Sequence, residues 1–242
     1  MEPLVELKHL TQELWPTQYP HLPFVWNRDL EPYVANPSLL SRIRWIICAD
    51  NPGPKEKKAG RFLAPNSLSG GDARKVIAKA GLDWQEHVIV LCKSVIHTKA
   101  TSLLKKLPPE AVRATEEAMS KVLLGLLART ESKLWIVGLG GCNTTETGWP
   151  KKRPGEDCYP PKFITPYFFA ALRDEGALFK ERIFISKHFS HAGFATEMKQ
   201  FPAERSLEER LAALQHATRL FDQEQHTEEP TSVGGIADST PE

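Results

Sequence analysis

Four short runs of almost continuous apolar residues constrain the fold of this chain more than any other feature. They are rich in Val, Ile, Leu, Phe and Trp, and they cover residues 44–49, 87–92, 133–138 and 182–186. Continuous rather than alternating apolarity is typical of a strand that is covered on both faces. We therefore interpret the four runs as the strands of a buried sheet.

Stretches with helical spacing alternate with these runs. Residues 110–129 repeat apolar side chains at intervals of three and four, and residues 72–80 stop at Gly81. Further helices are predicted over residues 4–15, from Thr165-Pro166 through residue 172, and after a capping box at residues 206–209. The alternation predicts an α/β fold, a three-layer αβα sandwich with a central, mainly parallel four-stranded sheet.

The distribution of charge divides the chain more clearly than its formal net charge of +1 does. Residues 48–200 carry 24 Lys and Arg against 16 Asp and Glu, a net charge of +8, whereas residues 201–242 carry 3 against 9, a net charge of −6. The acidic C-terminal segment thus nearly cancels the charge of the basic middle segment in the net charge of the chain. We expect one domain over residues 1–222 and a disordered acidic tail over residues 223–242, where the sequence is polar and rich in Gly, Pro, Ser and Thr.

Cysteine usage and the start of the chain predict a reduced, intracellular protein. Cys48, Cys92, Cys142 and Cys158 form no CxxC pair, so we expect no zinc site, no iron–sulfur cluster and no cofactor. The chain begins with an acidic, Pro-containing stretch, and no segment approaches the roughly 20 apolar residues of a membrane span. A monomer is expected that is cytoplasmic, or nuclear in a eukaryote, and neither secreted nor bound to a membrane.

Ligands of open α/β sheets bind outside the carboxyl ends of the strands, so the residues that follow each run are the site candidates. They are residues 50–54 (Asp-Asn-Pro-Gly-Pro), then Lys93, Ser94 and His97, then residues 138–141 (Gly-Leu-Gly-Gly), and finally residues 187–194 (Lys-His-Phe-Ser-His-Ala-Gly-Phe). Each motif alone is weak. Asn-Pro-Gly is a common turn, and the glycine run is too short for a dinucleotide fingerprint.

Taken together, these motifs resemble those of the uracil-DNA glycosylase superfamily. Residues 49–53 (Ala-Asp-Asn-Pro-Gly) are similar to its Gly-x-Asn-Pro-Gly motif, and residues 188–190 (His-Phe-Ser) to its His-x-Ser motif. Residues 60–63 (Gly-Arg-Phe-Leu), followed by Asn66, Ser67 and Gly70, are similar to its Gly-Arg-Pro-Phe segment. The resemblance covers about residues 44–200. It implies an enzyme of base-excision repair that hydrolyses the N-glycosidic bond of a uracil or related base flipped out of DNA.

The resemblance also implies catalytic roles for three residues. Asn51, or Asp50 before it, would hold or activate a water beside the sugar, and an ionised Asp50 would stabilise the positive charge that develops there. His188 would donate a hydrogen bond to the carbonyl oxygen of the leaving base.

Binding roles follow from the same resemblance. Phe62 would stack on the flipped base, Ser190 would hold a phosphate, and Phe194 would enter the groove of the DNA as a wedge. The other candidates for substrate binding are Pro52, Gly53, Cys92 and Lys93, and the other candidates for DNA contact are Lys55, Lys187 and His191.

Two departures from the family pattern leave the activity open. Ala49 replaces the leading glycine of the first motif, and Cys92 stands where the family commonly has an Asn that reads the edge of uracil. A thiol cannot make the paired contacts of an amide, so another damaged base, or a loss of activity, is possible. A catalytically silent relative that binds nucleic acid is therefore the second hypothesis. The third, an α/β hydrolase of free nucleosides or nucleotides, is disfavoured because a small substrate needs no extended basic surface.

Overall fold

A computed structural model of the chain describes residues 2–138, 164–189, 192–202 and 204–221. The strands are β1 (Trp45–Ala49), β2 (Val88–Cys92), β3 (Lys133–Val137) and β4 (Ile183–Ser186). The α-helices are α1 (Pro3–His9), α2 (Trp15–Gln18), α3 (Glu31–Ala35), α4 (Pro54–Ala59), α5 (Leu68–Lys79), α6 (Trp84–His87), α7 (Pro109–Leu127), α8 (Pro166–Gly176), α9 (Ala192–Lys199), α10 (Leu207–Ala213) and α11 (His216–Phe221). Short 3-10 turns cover Arg28–Leu30, Pro37–Arg42, Thr101–Lys106 and Ala177–Arg182.

The four strands form one parallel sheet in the order β2-β1-β3-β4. Every residue of β1, β2 and β4 is buried, as the continuous apolarity of the runs predicts. The three-layer α/β sandwich is therefore confirmed. The predicted strands are also confirmed to within one residue at each end.

An aromatic cluster fills the core beside β3 and β4. The side chain of Trp135 is fully buried, and its indole Nε1 donates a hydrogen bond to Ser186 Oγ at 2.9 Å. Its ring lies 4.9 Å from the ring of Phe189 and 5.9 Å from that of Phe194, between ring centroids. This cluster fixes the chain where it leaves β4, because both phenylalanines follow that strand.

Helix α5 begins four residues earlier than predicted. Ser67 accepts a hydrogen bond from the backbone N–H of Gly70 at 3.0 Å and so caps the helix, although the Ser-Gly-Gly sequence there is typical of a loop. Gly70 is required for packing, because a Cβ at this position would lie 2.2 Å from the carbonyl oxygen of Ala64. The predicted end at Gly81 is confirmed, with that residue at a φ of 73°.

The predicted N-terminal helix is confirmed and extends to Gln18 through a π-helical turn at Leu10–Leu14. Pro16 lies just after this turn. A proline ring in a regular α-helix would clash with the carbonyl of Gln12 and would leave it without a donor, and a wider turn relieves that clash. The capping box at Ser206 and Glu209 is present as predicted.

No helix within the described ranges is long and apolar enough to cross a membrane. The tail predicted over residues 223–242 lies outside the described residues.

Candidate functional site

One cavity of about 210 Å³ opens at the carboxyl ends of β1 and β2 and brings the first predicted motif together with His188. Its lining consists of Ala49, Asp50, Asn51, Pro52, Gly53, Glu56, Leu63, Ser69, Cys92, Thr101 and His188. The first motif and His188 are separated by more than 130 residues in sequence, so the parallel sheet is what places them side by side.

Asp50 is held in this cavity by a buried lysine. The side chain of Lys93 is completely buried, and its ammonium donates to Asp50 Oδ1 at 2.6 Å and to the carbonyl oxygens of Val137 and Gly138 at 2.9 and 2.5 Å. A lysine has three donors, and all three are used here. The prediction that Lys93 contacts the substrate is thus corrected, since this side chain lies behind Asp50 and has no donor left.

Gly138 makes room for the Asp50 carboxylate. Its φ is 85°, and a Cβ at this position would lie 2.7 Å from Asp50 Oδ1. Glycine is therefore needed at this position for backbone conformation and for space. The backbone just after β3 thus lies close to the Asp50 carboxylate. The rest of the glycine run, residues 139–141, lies outside the described residues.

The Asn51 side chain has a fixed orientation. Its Nδ2 donates to the carbonyl oxygen of Ile96 at 3.0 Å and to Thr98 Oγ1 at 2.9 Å. A carbonyl can only accept, so the amide nitrogen must face Ile96, and Oδ1 is left as the acceptor. No described residue donates a hydrogen bond to that Oδ1. Asn51 therefore presents an acceptor, and not a donor, to a water or ligand in the cavity.

The segment after β2 also holds the backbone of the first motif. His97 Nδ1 lies 2.8 Å from the carbonyl oxygen of Pro52, which can only accept, so the proton is on Nδ1. The backbone N–H of His97 in turn donates to the carbonyl oxygen of Pro23 at 2.8 Å. The positioning roles of Ile96, His97 and Thr98 were not found from the sequence, because no local pattern indicates which turn a strand exit supports.

Glu56 is another lining residue that the sequence reasoning missed. Its Oε2 accepts a hydrogen bond from the backbone N–H of Gly53 at 3.2 Å, where helix α4 begins. The spacing of Gly53 and Glu56, three residues apart at a helix start, is the signal that could have indicated it. Gly53 lines the cavity, and a Cβ there would approach Glu56 Oε2 to 2.9 Å.

Cys92 lines the cavity, but as a buried thiol. Its exposed fraction is 2%, and burial raises the pKa of the thiol well above its ordinary value. The group is therefore neutral at physiological pH and is a poor nucleophile. It is paired with Ala49 across β1 and β2, so the two departures from the family pattern lie next to each other.

His188 is partly buried and lines the cavity from the end of β4. The neighbouring Phe189 is buried, and its ring packs at 5.0 Å on that of Phe194. The prediction that Phe194 is a wedge for DNA is wrong, because this side chain is 5% exposed and lies in the core. The predicted positions Ser190 and His191 lie outside the described residues.

Phe62 does not contribute an aromatic face to the cavity. Its side chain is 2% exposed and packs in the core, whereas the next residue, Leu63, lines the cavity. The prediction that Phe62 stacks on a base is therefore corrected in favour of an aliphatic wall. Leu63 adopts a φ of 45°, which turns the chain at this point.

The predicted DNA-contacting lysines differ in their surroundings. Lys55 is exposed on α4 beside the cavity, with Lys57 and Lys58, and donates to the carbonyl oxygen of Asn66 at 3.0 Å. Lys187 is about half exposed, and its ammonium lies 3.3 Å from the buried carboxylate of Glu197. Helix α4 thus presents a basic surface next to the cavity.

The fold and this cavity define a three-layer α/β protein with a polar site at the carboxyl edge of its sheet. No protein-family model matches the chain, and no curated protein matches it in sequence. Among the described residues, no group of three or more His, Cys, Asp and Glu side chains is arranged to hold a metal ion.

Proposed function

We propose that this protein is a DNA glycosylase that removes uracil or a related damaged base from DNA by hydrolysing its N-glycosidic bond. The observation that carries the proposal is the single cavity that Asp50 and Asn51 share with His188. The first two residues supply a carboxylate and an amide oxygen, and the third supplies an imidazole. When a glycosidic bond breaks, positive charge develops on the sugar and negative charge on the base, and these groups can stabilise both charges.

Different residues of the cavity act on the sugar and on the departing base. Asn51 Oδ1 accepts a hydrogen bond from the attacking water, because the amide nitrogen is already engaged. Asp50, paired with Lys93, faces the positive charge that develops on the sugar. His188, which lines the same cavity, donates a hydrogen bond to the departing base and stabilises its negative charge.

The size of the cavity favours a single base over a whole nucleotide. Pockets for small molecules typically enclose about 300–1,000 Å³, which exceeds the 210 Å³ of this cavity. A flipped base would occupy the cavity while its sugar and phosphates remain outside. The exposed lysines of α4 lie where such phosphates would pass, and phosphate contacts position a protein on DNA.

A second candidate is a catalytically silent relative that binds DNA. It is favoured by the described cavity lining. Cys92 offers no side-chain amide, and the wall is formed by Leu63 because the ring of Phe62 is buried in the core. Without these groups a base would be bound less selectively.

The test is an excision assay on labelled single- and double-stranded oligonucleotides that carry uracil, hypoxanthine, xanthine or a mismatched thymine. Alkali then breaks the strand at every abasic site. We expect cleavage at one of these lesions and none in the undamaged strand. A preparation of the His188→Ala variant, purified in the same way, controls for contaminating glycosylases.

Absence of cleavage on every substrate would reject the glycosylase proposal. If binding to the same oligonucleotides then remained and weakened steeply with salt, the silent relative would be supported. Absence of both cleavage and binding would reject both candidates.

A further inference from the structure

Lys93 occupies an unusual place for a lysine, because its side chain is completely buried at the end of β2. Its ammonium contacts three acceptors that come from two neighbouring strands. Asp50 follows β1, whereas the carbonyls of Val137 and Gly138 belong to the end of β3. Strand β1 lies between β2 and β3 in the sheet, so the lysine spans the strand end that carries the carboxylate.

The ion pair of Lys93 and Asp50 is not explained by stability alone. Removing an ammonium from water costs free energy that its partners only partly return, and apolar side chains of similar volume are often at least as stabilising. The strand that precedes Lys93 is apolar, since every residue of β2 is buried. We therefore expect the buried charge of Lys93 to have a role in the adjacent cavity.

Asp50 is the anion that balances Lys93. Glu116 is a second carboxyl group of this interior, but its Oε2 accepts hydrogen bonds from the backbone N–H groups of Tyr167 and Phe168 and not from Lys93, and burial raises its pKa well above the ordinary value. The ammonium also lies 5.3 Å from the ring centroid of Phe169, a contact that favours the cation without compensating its charge.

The geometry leaves the carboxylate little freedom. Lys93 holds one oxygen at 2.6 Å, and the backbone of Gly138 lies close behind both oxygens. The Asp50 side chain is still 21% exposed, so the carboxylate reaches the cavity that it lines. Asp50 is thus open to the cavity in front and fixed from behind.

We propose that Lys93 is a positioning residue that fixes the Asp50 carboxylate in the cavity as an anion and does not itself contact the substrate. This inference rests on the proposed glycosylase function for its catalytic consequence. The arrangement of the pair itself does not depend on that function.

The first test is a cycle of variants measured under single-turnover conditions. Lys93→Met keeps the length of the side chain and removes the charge, and Lys99→Met is the matched control, since Lys99 is an exposed lysine on the same segment. We expect Lys93→Met to lower the excision rate about 10²–10³-fold without changing the affinity for DNA, and Lys99→Met to change neither.

The cycle also includes Asp50→Asn, alone and combined with Lys93→Met. If Lys93 acts through Asp50, the double variant is no slower than Asp50→Asn alone. A further loss in the Asp50→Asn background, equal to the loss in the wild-type background, would overturn the proposal. Weaker DNA binding by Lys93→Met at an unchanged excision rate would overturn it as well.

A second readout does not need activity. The Asp50 carboxyl ¹³C resonance should differ between the wild type and Lys93→Met and should not differ in Lys99→Met. An unchanged resonance in Lys93→Met would contradict the positioning role. If Lys93→Met does not fold, Lys93→Gln takes its place, because it also removes the charge and keeps a donor for the buried carbonyls of Val137 and Gly138.

The two proposals fail in different ways. A wild-type protein that excises no base while the resonance of Asp50 responds to Lys93→Met would reject the glycosylase function and keep the pairing. A wild-type protein that excises a base, with Lys93→Met excising it at the same rate, would reject the positioning role and keep the function.

Discussion

The segments that follow β2 and β4 are alike in sequence position but different in what they do. After β2, Lys93, Ile96, His97 and Thr98 hold the first motif from behind through its two polar side chains and the carbonyl of Pro52. After β4, His188 lines the cavity directly. A polar residue just after a strand can therefore line a site or support it, and its hydrogen bonds distinguish the two roles.

The residues that hold each segment in place also differ. The segment after β2 is held by hydrogen bonds to the first motif. The one after β4 is held by a hydrogen bond from the backbone N–H of Lys187 to Glu197 and, in addition, by apolar packing of Phe189 and Phe194 on Trp135. Variants on the β4 side should therefore change stability first, and variants on the β2 side should change chemistry first.

The largest effect on stability is expected from Phe194→Ala. Truncating a buried phenylalanine removes apolar contacts and leaves a cavity, so the free energy of unfolding should fall by about 3–5 kcal/mol. Chemical denaturation measures this change. Unchanged stability, combined with weaker DNA binding, would restore the role of Phe194 as an exposed wedge.

Asn51→Asp tests the hydrogen bonds from Asn51 to Ile96 and Thr98 more severely than Asn51→Ala does. With a carboxylate at position 51, one oxygen would face the carbonyl oxygen of Ile96, where the amide nitrogen now donates. We expect the excision rate to fall about 10²–10³-fold, or about 2.7–4 kcal/mol in the barrier. Single-turnover kinetics measure it, and a variant as active as the wild type would show that the orientation of Asn51 is unimportant.

Gly138→Ala and Gly81→Ala form a matched pair at positive φ. Both substitutions strain the backbone, which costs about 1–3 kcal/mol, but only the first brings a Cβ against Asp50, since nothing lies within 4 Å of a Cβ at Gly81. Both variants should unfold at lower temperature, and only Gly138→Ala should also lose excision. Equal excision by the two variants would mean that the contact with Asp50 does not matter.

The smallest expected effect is a change in stability with pH at Glu116, which caps the start of α8. Its Oε2 accepts hydrogen bonds from the backbone N–H groups of Tyr167 and Phe168 at 3.0 and 3.2 Å. Because burial raises the pKa of this carboxyl in the folded protein, stability should fall as pH rises from its ordinary value of 4.5 toward the raised one.

Glu116→Gln mimics the neutral acid and should remove this loss. We expect it to raise stability by about 1–2 kcal/mol at pH 8, which is about 2–8 °C in Tm, and by less at pH 5. Glu110→Gln, at an exposed position in the first turn of the same helix, should leave the pH profile unchanged. Equal gains from Glu116→Gln at both pH values would show that Glu116 does not titrate in the expected direction.

The sequence predicts the fold of this protein better than its site. Runs of apolar residues encode the four strands directly, because parallel strands are covered on both faces. The clustering of Asp50, Asn51 and His188 at one cavity also follows from their places after strands. By contrast, Phe62 and Phe194 were assigned exposed roles, and both are buried.

These misplaced residues share a physical reason. Whether a side chain after a strand points to the cavity or to the core depends on the local backbone and on tertiary neighbours, such as Trp135 for Phe194. The role of Lys93 was missed for the same reason, since its partners lie 43 to 45 residues away in the chain. No local pattern contains that information.

Single-turnover excision by Asn51→Ala and His188→Ala, measured beside their affinity for the same damaged oligonucleotide, decides whether this cavity is the active site. Both residues line one cavity, so each variant should lose excision at the lesion that the wild type cleaves while it still binds the DNA. Wild-type excision rates in both variants would contradict the assignment of this cavity as the active site.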